Sequence, residues 1–344
     1  MNRIAAFLAA AAIAAPAILH AADAPKKEAP KKEAKPAKKT VETFTDPGKA
    51  GADFAVQGEY EGTLGEEKLG VQVIALGEGK FDVMLFRGGL PGAGWNGKDK
   101  HKLAAETMDG KVVVGGDVGT IADGKFTGKS PKGDEISAAK TERKSPTLGE
   151  KPPEGAIVLF DGTEETAKAE WNKGKLDEQG NLTTMVPGGL LSTRKFGDCR
   201  LHIEFRTPFM PAARGQGRGN SGVYLQGRYE TQVLDSFGLS GENNECGGLY
   251  SVAKPSVNMC LPPLTWQTYD IEFTAAKFDA DGKKTAPAKI TVIHNGVKIH
   301  DGVEFAKGIT TAAPVKEGPE PGPIHLQNHG NPVAFRNVWI VEKK

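Results

Sequence analysis

The sequence predicts an all-β protein. An antiparallel two-sheet sandwich of jelly-roll kind is expected over residues 155–344, with a smaller glycine-rich β domain before it over residues 50–145. Three observations carry this reading. Glycine supplies 44 of 344 residues, roughly twice its usual share, which favours tight turns over long helices. Apolar and polar side chains alternate with a period of two in many short runs, the signature of strands with one buried face. Between the runs of residues 155–344 stand turn residues and no helical periods, which argues for sheets packed on sheets. At 344 residues the chain is long enough for two domains, each with its own core.

Residues 1–22 have the layout of a secretory signal peptide: Arg3, an apolar run from Ile4 to Leu19, and small residues at Ala21 and Ala22. The run is short for a membrane span and no later stretch is long enough, so the expected product is exported, to the periplasm or outside the cell. Residues 23–45 read as a disordered linker, because Pro25–Lys39 holds seven Lys and two Glu with nothing apolar beyond Ala. The whole chain carries a formal charge of +1, which leaves no general excess of basic residues for a nucleic acid.

In residues 50–145, Val71, Val73 and Ala75 alternate with Gln72 and Ile74, and Phe81, Val83 and Leu85 alternate with Asp82 and Met84. The Gly88–Gly94 loop ends at Trp95 and lacks the helix and Lys-Ser/Thr ending of a phosphate cradle, so it reads as a turn. Trp95 either plugs a small core or stacks on a sugar. No function is legible in this domain.

Residues 155–344 are more informative. Leu201, Ile203 and Phe205 alternate with His202, Glu204 and Arg206; Val223 and Leu225 with Tyr224 and Gln226; Ile324 and Leu326 with His325 and Gln327. Asn295-Gly296 between Ile290–His294 and Val297–His300 predicts a hairpin with a type I′ turn. An ordinary solvent face mixes Lys, Thr, Ser and Glu, whereas Glu204, Arg206, Glu230, Gln232, His325, Gln327 and His329 form an ionic and amide set suited to a polar ligand. Such groups match sugar hydroxyls, and Tyr224 and Trp266 offer rings for sugar faces. Asn220 is a turn residue and a further ligand contact. His202, His294 and His300 are expected at the surface, and Arg336 as a structural partner of Glu204 or Glu272.

Export bears on the three cysteines. Cys246 and Cys260 flank a Gly-, Pro- and Asn-rich loop and are expected to form a disulfide, stabilising by about 3 kcal/mol, with Cys199 left as a free thiol.

The segments VLFDG (158–162), EFR (204–206), GNSGV (219–223), YETQVLD (229–235), Gly248–Tyr250, WQTYDIE (266–272) and GPIHLQNHGNPVAFRNVWI (322–340) resemble the 3-keto-disaccharide hydrolase family. The resemblance implies a concanavalin A-like lectin/glucanase sandwich and cleavage of 3-keto-glycosides by elimination and hydration across C1 and C2. A ketone at C3 acidifies the C2 proton, so a base that removes it lets the C1 substituent leave. His329 is the first choice of base and His325 the second. Glu230 or Asp235 would protonate the departing oxygen if burial raises its pKa. Arg206, Arg228 or a divalent cation would stabilise the enolate. No cofactor is otherwise called for, and no metal-ligand set is recognisable, since His325 and His329 on one straight strand would stand about 13 Å apart. The oligomeric state is left open.

Two other functions fit the same residues. Glu230, Gln232 and Asp235 fall at the E-x-D-x-x-E spacing of laminarinase-type retaining glycosidases, with Gln in place of the middle carboxylate. A lectin-like module that binds glycans without cleaving them is the third reading.

Overall fold

The structure, a computed structural model, describes residues 41–343. The predicted signal peptide and most of the predicted linker lie outside the described residues. The linker expectation fails at its end: Phe44 pairs with Phe209 through backbone hydrogen bonds, and their rings stand 5.9 Å apart. An aromatic side chain with apolar surface to bury can offset its own ordering entropy, which the Lys-rich stretch cannot.

Residues 58–141 close into an eight-stranded antiparallel barrel, which alternation alone did not distinguish from an open sheet. Its strands are β1 (Gly58–Leu64), β2 (Glu67–Gly77), β3 (Lys80–Arg87), β4 (Lys100–Met108), β5 (Lys111–Val114), β6 (Gly119–Ala122), β7 (Lys125–Lys129) and β8 (Glu135–Thr141), with β1 paired to β8. Val71, Val73, Ala75, Phe81 and Val83 fill the interior as their alternation predicts. Helix α1 (Gly51–Val56) precedes the barrel, and Phe209 and Leu264 of the following domain join its core. Trp95 is half-buried and lies outside the barrel core: it meets Phe86 edge-on at 5.1 Å, against a small separate cluster with Ile74, Met84 and Phe237.

The remaining strands are β9 (Ile157–Phe160), β10 (Leu182–Thr183), β11 (Leu190–Phe196), β12 (Cys199–Arg206), β13 (Ser221–Leu225), β14 (Tyr229–Val233), β15 (Gln267–Thr274), β16 (Lys277–Phe278), β17 (Lys284–Ala286), β18 (Lys289–His294), β19 (Val297–Glu304), β20 (Gly322–Leu326) and β21 (Ala334–Glu342). β16 and β17 pair only with each other, and the rest build a two-sheet sandwich. The back sheet runs β10-β21-β12-β15-β18-β19, with β9 also on β21, and the front sheet runs β11-β20-β13-β14. Leu201, Ile203 and Phe205 of the back meet Val223, Leu225, Val233, Ile324 and Leu326 of the front in one buried core. Each such side chain contributes about 1.5–3 kcal/mol on burial. The predicted hairpin is present as β18 and β19, with Asn295 and Gly296 at φ 49° and 81°, the positive pair a type I′ turn requires.

One shared core fixes what lies outside it. Side chains that alternate with Leu201, Ile203 and Phe205 point away from the back, while those that alternate with Val223 and Leu225 point away from the front. The ionic residues of β12 and those of β13, β14 and β20 therefore occupy opposite surfaces of the sandwich.

Candidate active site

On the outer face of the front sheet, backbone register brings four residues into a row across neighbouring strands. His325 of β20 stands opposite Tyr224 of β13, and Tyr224 opposite Glu230 of β14. The segment after Cys246 runs beside β14, pairing Leu249 with Thr231 and donating from Tyr250 N–H to the Glu230 carbonyl at 3.4 Å. Tyr250 is thus Glu230's neighbour on the same face. It was not singled out as a site residue, although it belongs to the Gly248–Tyr250 motif; only the long-range pairing of Thr231 with Leu249 reveals it. A second row holds Gln327, Gly222 and Gln232, since Gln327 N–H donates to the Gly222 carbonyl and Gly222 pairs with Gln232.

Glu230 is the centre of this face. It is 2 % exposed, and burial pushes its carboxyl up to about 8, against the opposing pull of its hydrogen bond from Tyr224. Gln327 Nε2 donates to the Tyr224 hydroxyl at 3.0 Å, which fixes that hydroxyl for donation to Glu230. Burial and the Glu230 charge both raise the Tyr224 phenol, so it stays protonated. A protonated carboxyl at neutral pH, held by a phenol, is an acid ready to give up its proton.

Polar groups surround it. The Gln216 Oε1 atom accepts from both Asn220 Nδ2 at 3.0 Å and Gln232 Nε2 at 3.1 Å, which orients the two amides. His325 Nε2 donates to the Gly188 carbonyl at 3.2 Å, which assigns the tautomer and leaves Nδ1 as an unpaired, buried acceptor. Burial lowers the His325 pKa, with the Gly188 contact opposing. His329 differs in every respect: it is exposed and makes no hydrogen bond among the described residues. Its loop is nevertheless held on both sides, by Asn328 Nδ2 on the Val186 carbonyl at 2.8 Å and by Asn331 Oδ1 accepting from Asn220 N–H at 2.8 Å. The turn is held by the two asparagines, not by the imidazole.

The remaining expected site residues lie elsewhere. Glu204 is fully buried on the outer face of the back sheet, bonded to Arg336 Nε at 2.7 Å, Asn337 Nδ2 at 2.9 Å and Gly149 N–H at 2.6 Å. Arg336 is the partner expected for it. Arg206 reaches Gln179 and the Thr45 carbonyl, and the Trp266 ring is in contact with two guanidiniums, 4.9 Å from Arg206 and 4.1 Å from Arg336. Alternation correctly put Glu204 and Arg206 on a polar face but cannot tell which sheet owns it. Arg228 is spent on the carbonyls of Lys316, Gly318 and Glu320, anchoring a loop. Asp235 lies past the end of β14, its oxygens taken by Arg218 Nε at 2.7 Å and Phe237 N–H at 3.3 Å. It cannot serve as a free acid beside Glu230.

The histidines expected at the surface are buried instead. His202 bonds Asp270 at 2.7 Å and lies beneath Trp339; His294 and His300 pack between strands and loops, where burial lowers both pKa values, His294 to about 3. The expected disulfide is not formed: Cys246 and Cys260 stand as free thiols in the core, Cys246 Sγ 3.3 Å from the Tyr269 hydroxyl and Cys260 Sγ 3.5 Å from the Leu234 carbonyl, and Cys199 is a buried free thiol as expected. Among the described residues, the imidazole and carboxylates spaced as metal ligands are Glu150, His202 and Asp270. His202 and Asp270 lie on the back sheet and Glu150 in the segment before β9, with Arg200 3.1 Å from Glu150, away from the front-face row.

Comparison with known proteins accords with this architecture. The profile of the 3-keto-alpha-glucoside-1,2-lyase-like domain matches residues 155–341, more than half of the chain. The chain belongs to that family. It is accordingly a carbohydrate-active enzyme by family. No curated protein matches it. Among solved structures, it is similar to a candidate glycosyl hydrolase from Parabacteroides distasonis, with 36% identity, 56% of this chain and 85% of that chain covered, and a TM-score of 0.48. A second candidate glycosyl hydrolase from the same organism shows 19% identity, coverage of 56% and 95%, and a TM-score of 0.40. The matched region is the sandwich; the barrel lies outside it.

Proposed function

We propose that this chain cleaves 3-keto-glycosides by elimination followed by hydration, on the front face of the sandwich. The observation that carries the reading is the seating of Glu230, a buried carboxyl opposite Tyr224 and in one row with His325, where burial pushes its pKa up to about 8.

The chemistry assigns three roles. His329, unencumbered in a held loop at the edge of the face, takes the C2 proton, made acidic by the C3 ketone. The electron pair forms an enolate and then the C1–C2 double bond as the C1–O bond breaks, and Glu230 gives its proton to the departing oxygen. The imidazolium beside the enolate offsets part of its charge. Water then adds to C1, losing a proton to the Glu230 carboxylate, while His329 returns a proton to C2; the sum is hydrolysis. His325 is the poorer base because burial lowers its pKa, and its Nδ1 suits acceptance of a sugar hydroxyl. Gln232, Asn220 and Gln327 complete the polar surround.

The laminarinase-type reading requires two carboxylates about 5 to 5.5 Å apart across a sugar, and Asp235 is committed to Arg218. The export segment expected over residues 1–22 would put the activity in the periplasm or outside the cell.

The test is incubation of the purified protein with a 3-keto-glucoside and with the same glucoside unoxidised. Release from the keto form alone supports the proposal. Release from the plain glucoside, or binding of either without release, contradicts it.

A further inference from the structure

The two ends of the β1–β8 barrel differ. Where β1 begins and β8 finishes, Phe54 and Leu264 stand beside Gly58 and Thr141, and Phe209 packs on Phe54 at 5.3 Å, so that end is closed by apolar side chains. The opposite end, where β1 runs into β2, β3 into β4, β5 into β6 and β7 into β8, opens on a cavity of about 440 Å³. Six aliphatic side chains line it: Leu64, Leu69, Leu85, Leu103, Val118 and Ile136. Leu69 and Leu85 are in phase with the buried Val71, Val73 and Val83, and Leu64 stands opposite Ile136, so these side chains point into the barrel. Leu64, Leu85, Leu103 and Val118 are nevertheless only partly buried. An eight-stranded barrel is just wide enough to fill itself with side chains or to hold one small ligand. This one fills its closed half and leaves a layer of aliphatic groups uncovered in the other.

We propose that the open end of the barrel binds one single-chain aliphatic carboxylate, its chain on the six aliphatic groups and its head at Arg87 and Lys132. The polar lining residues all belong to the mouth, at the ends of β3 and β4 and on the β7–β8 turn. A sugar or peptide inserted below them would leave its polar groups unpaired. A hydrocarbon chain has none to pair and gains by leaving water. The head is selected by charge. Arg87 stands opposite Leu69, on the inward-facing side where β3 reaches the mouth. It meets Glu67 through Nε at 3.1 Å, and among the described residues neither Nη atom has a partner, which leaves a pair of donors for the two oxygens of a carboxylate. Lys132 likewise has no ion-pair partner among the described residues, while Lys102 is held by Asp82 at 2.7 Å. The carboxylate at the rim, Asp134, accepts from the Ser130 hydroxyl at 3.1 Å within its own turn. A cationic head would meet like charge at Arg87 and Lys132. The volume is within the usual range for a small-molecule site. This site is independent of the front-face chemistry, since the barrel lies outside residues 155–341.

The experiment is isothermal titration of the full chain with three probes: decanoate, acetate and decyltrimethylammonium. The proposal predicts saturable binding of one decanoate per chain, with acetate and decyltrimethylammonium each at least tenfold weaker. Leu103→Trp, which fills the cavity, should weaken decanoate at least tenfold, and Arg87→Gln at least fivefold. Arg87 is exposed at the rim, so its variant tests the head even where the tryptophan disturbs the core. Circular dichroism confirms that each variant is folded. Absence of saturable decanoate binding would overturn the site, as would unchanged affinity in a folded Leu103→Trp protein. Acetate as tight as decanoate would remove the chain from the account. Equal affinity for decyltrimethylammonium, or unchanged affinity in Arg87→Gln, would overturn the assignment of an anionic head.

Discussion

Glu230 occupies the space above Gly222: a Cβ built at position 222 would run into the Glu230 carboxyl and the Tyr224 ring. The bare backbone of β13 is therefore part of how the acid is seated. Gly222→Ala must push Glu230 aside or strain the strand, an overpacking cost of about 1–3 kcal/mol. The expected outcome is a fall in kcat of tenfold or more with a folded protein, measured by steady-state kinetics alongside thermal melting.

The state of Glu230 also sets a pH dependence. Its folded pKa, about 8, is above the ordinary carboxylate value of 4.5, so the folded chain holds a proton that the unfolded chain releases. Stability from this group is fully present below about pH 4.5 and is lost as pH rises through 8. Glu230→Gln cannot ionise and should lack this loss. Melting temperatures of the two proteins should diverge in favour of the variant between pH 5 and 9, and parallel curves would refute the burial argument.

On the back sheet, Glu204 behaves oppositely and His202 in the same sense as Glu230. There the hydrogen bonds from His202, Asn337 and Arg336 overcome burial and hold Glu204 at about 2, and those to Asp270 and Glu204 likewise overcome burial and raise His202 to about 9. The Glu204 contribution to stability is present above pH 4.5 and lost as pH falls through 2; the His202 contribution is present below 6.5 and lost as pH rises through 9. Glu204→Ala should cost about 3–5 kcal/mol of stability by stranding Arg336 and His202. Because Glu204 faces away from Glu230, kcat/KM of the folded variant should stay within twofold, measured by denaturant titration and initial rates.

These residues also show how far a sequence reading reaches. Period-two alternation located β12, β13 and β20, and Asn295-Gly296 located a turn, because both signals are local. Sheet membership is not local. Glu204 and Gln232 look equivalent along the chain, and only the shared core, with Leu201 on one side and Val223 on the other, sends them to opposite surfaces. Asp235 shares a spacing with catalytic carboxylates, but Arg218, seventeen residues away, takes its charge. Closure of the barrel depends on β1 meeting β8 across nearly the whole domain. Tyr250 went unassigned for the same reason, since Leu249 finds Thr231 only after a loop is complete.

The two front-face histidines should separate by function. His329→Ala is expected to lower kcat by 10²-fold or more without a change in melting temperature, because its ring holds nothing in place. His325→Ala should raise KM for the keto sugar and lower stability, since its ring packs on Tyr224 at 5.0 Å and bonds Gly188. Unchanged turnover in the His329 variant would remove it from the base role.

The most direct measurement is the rate of Glu230→Gln on two 3-keto-glucosides that differ in leaving group, one an alkyl alcohol and one a dinitrophenol. An alcohol needs a proton to depart and a dinitrophenolate does not. The account predicts a loss of about 10²- to 10⁴-fold on the alkyl substrate and near-normal turnover of the dinitrophenyl one. An equal loss on both would mean that Glu230 does not protonate the leaving oxygen.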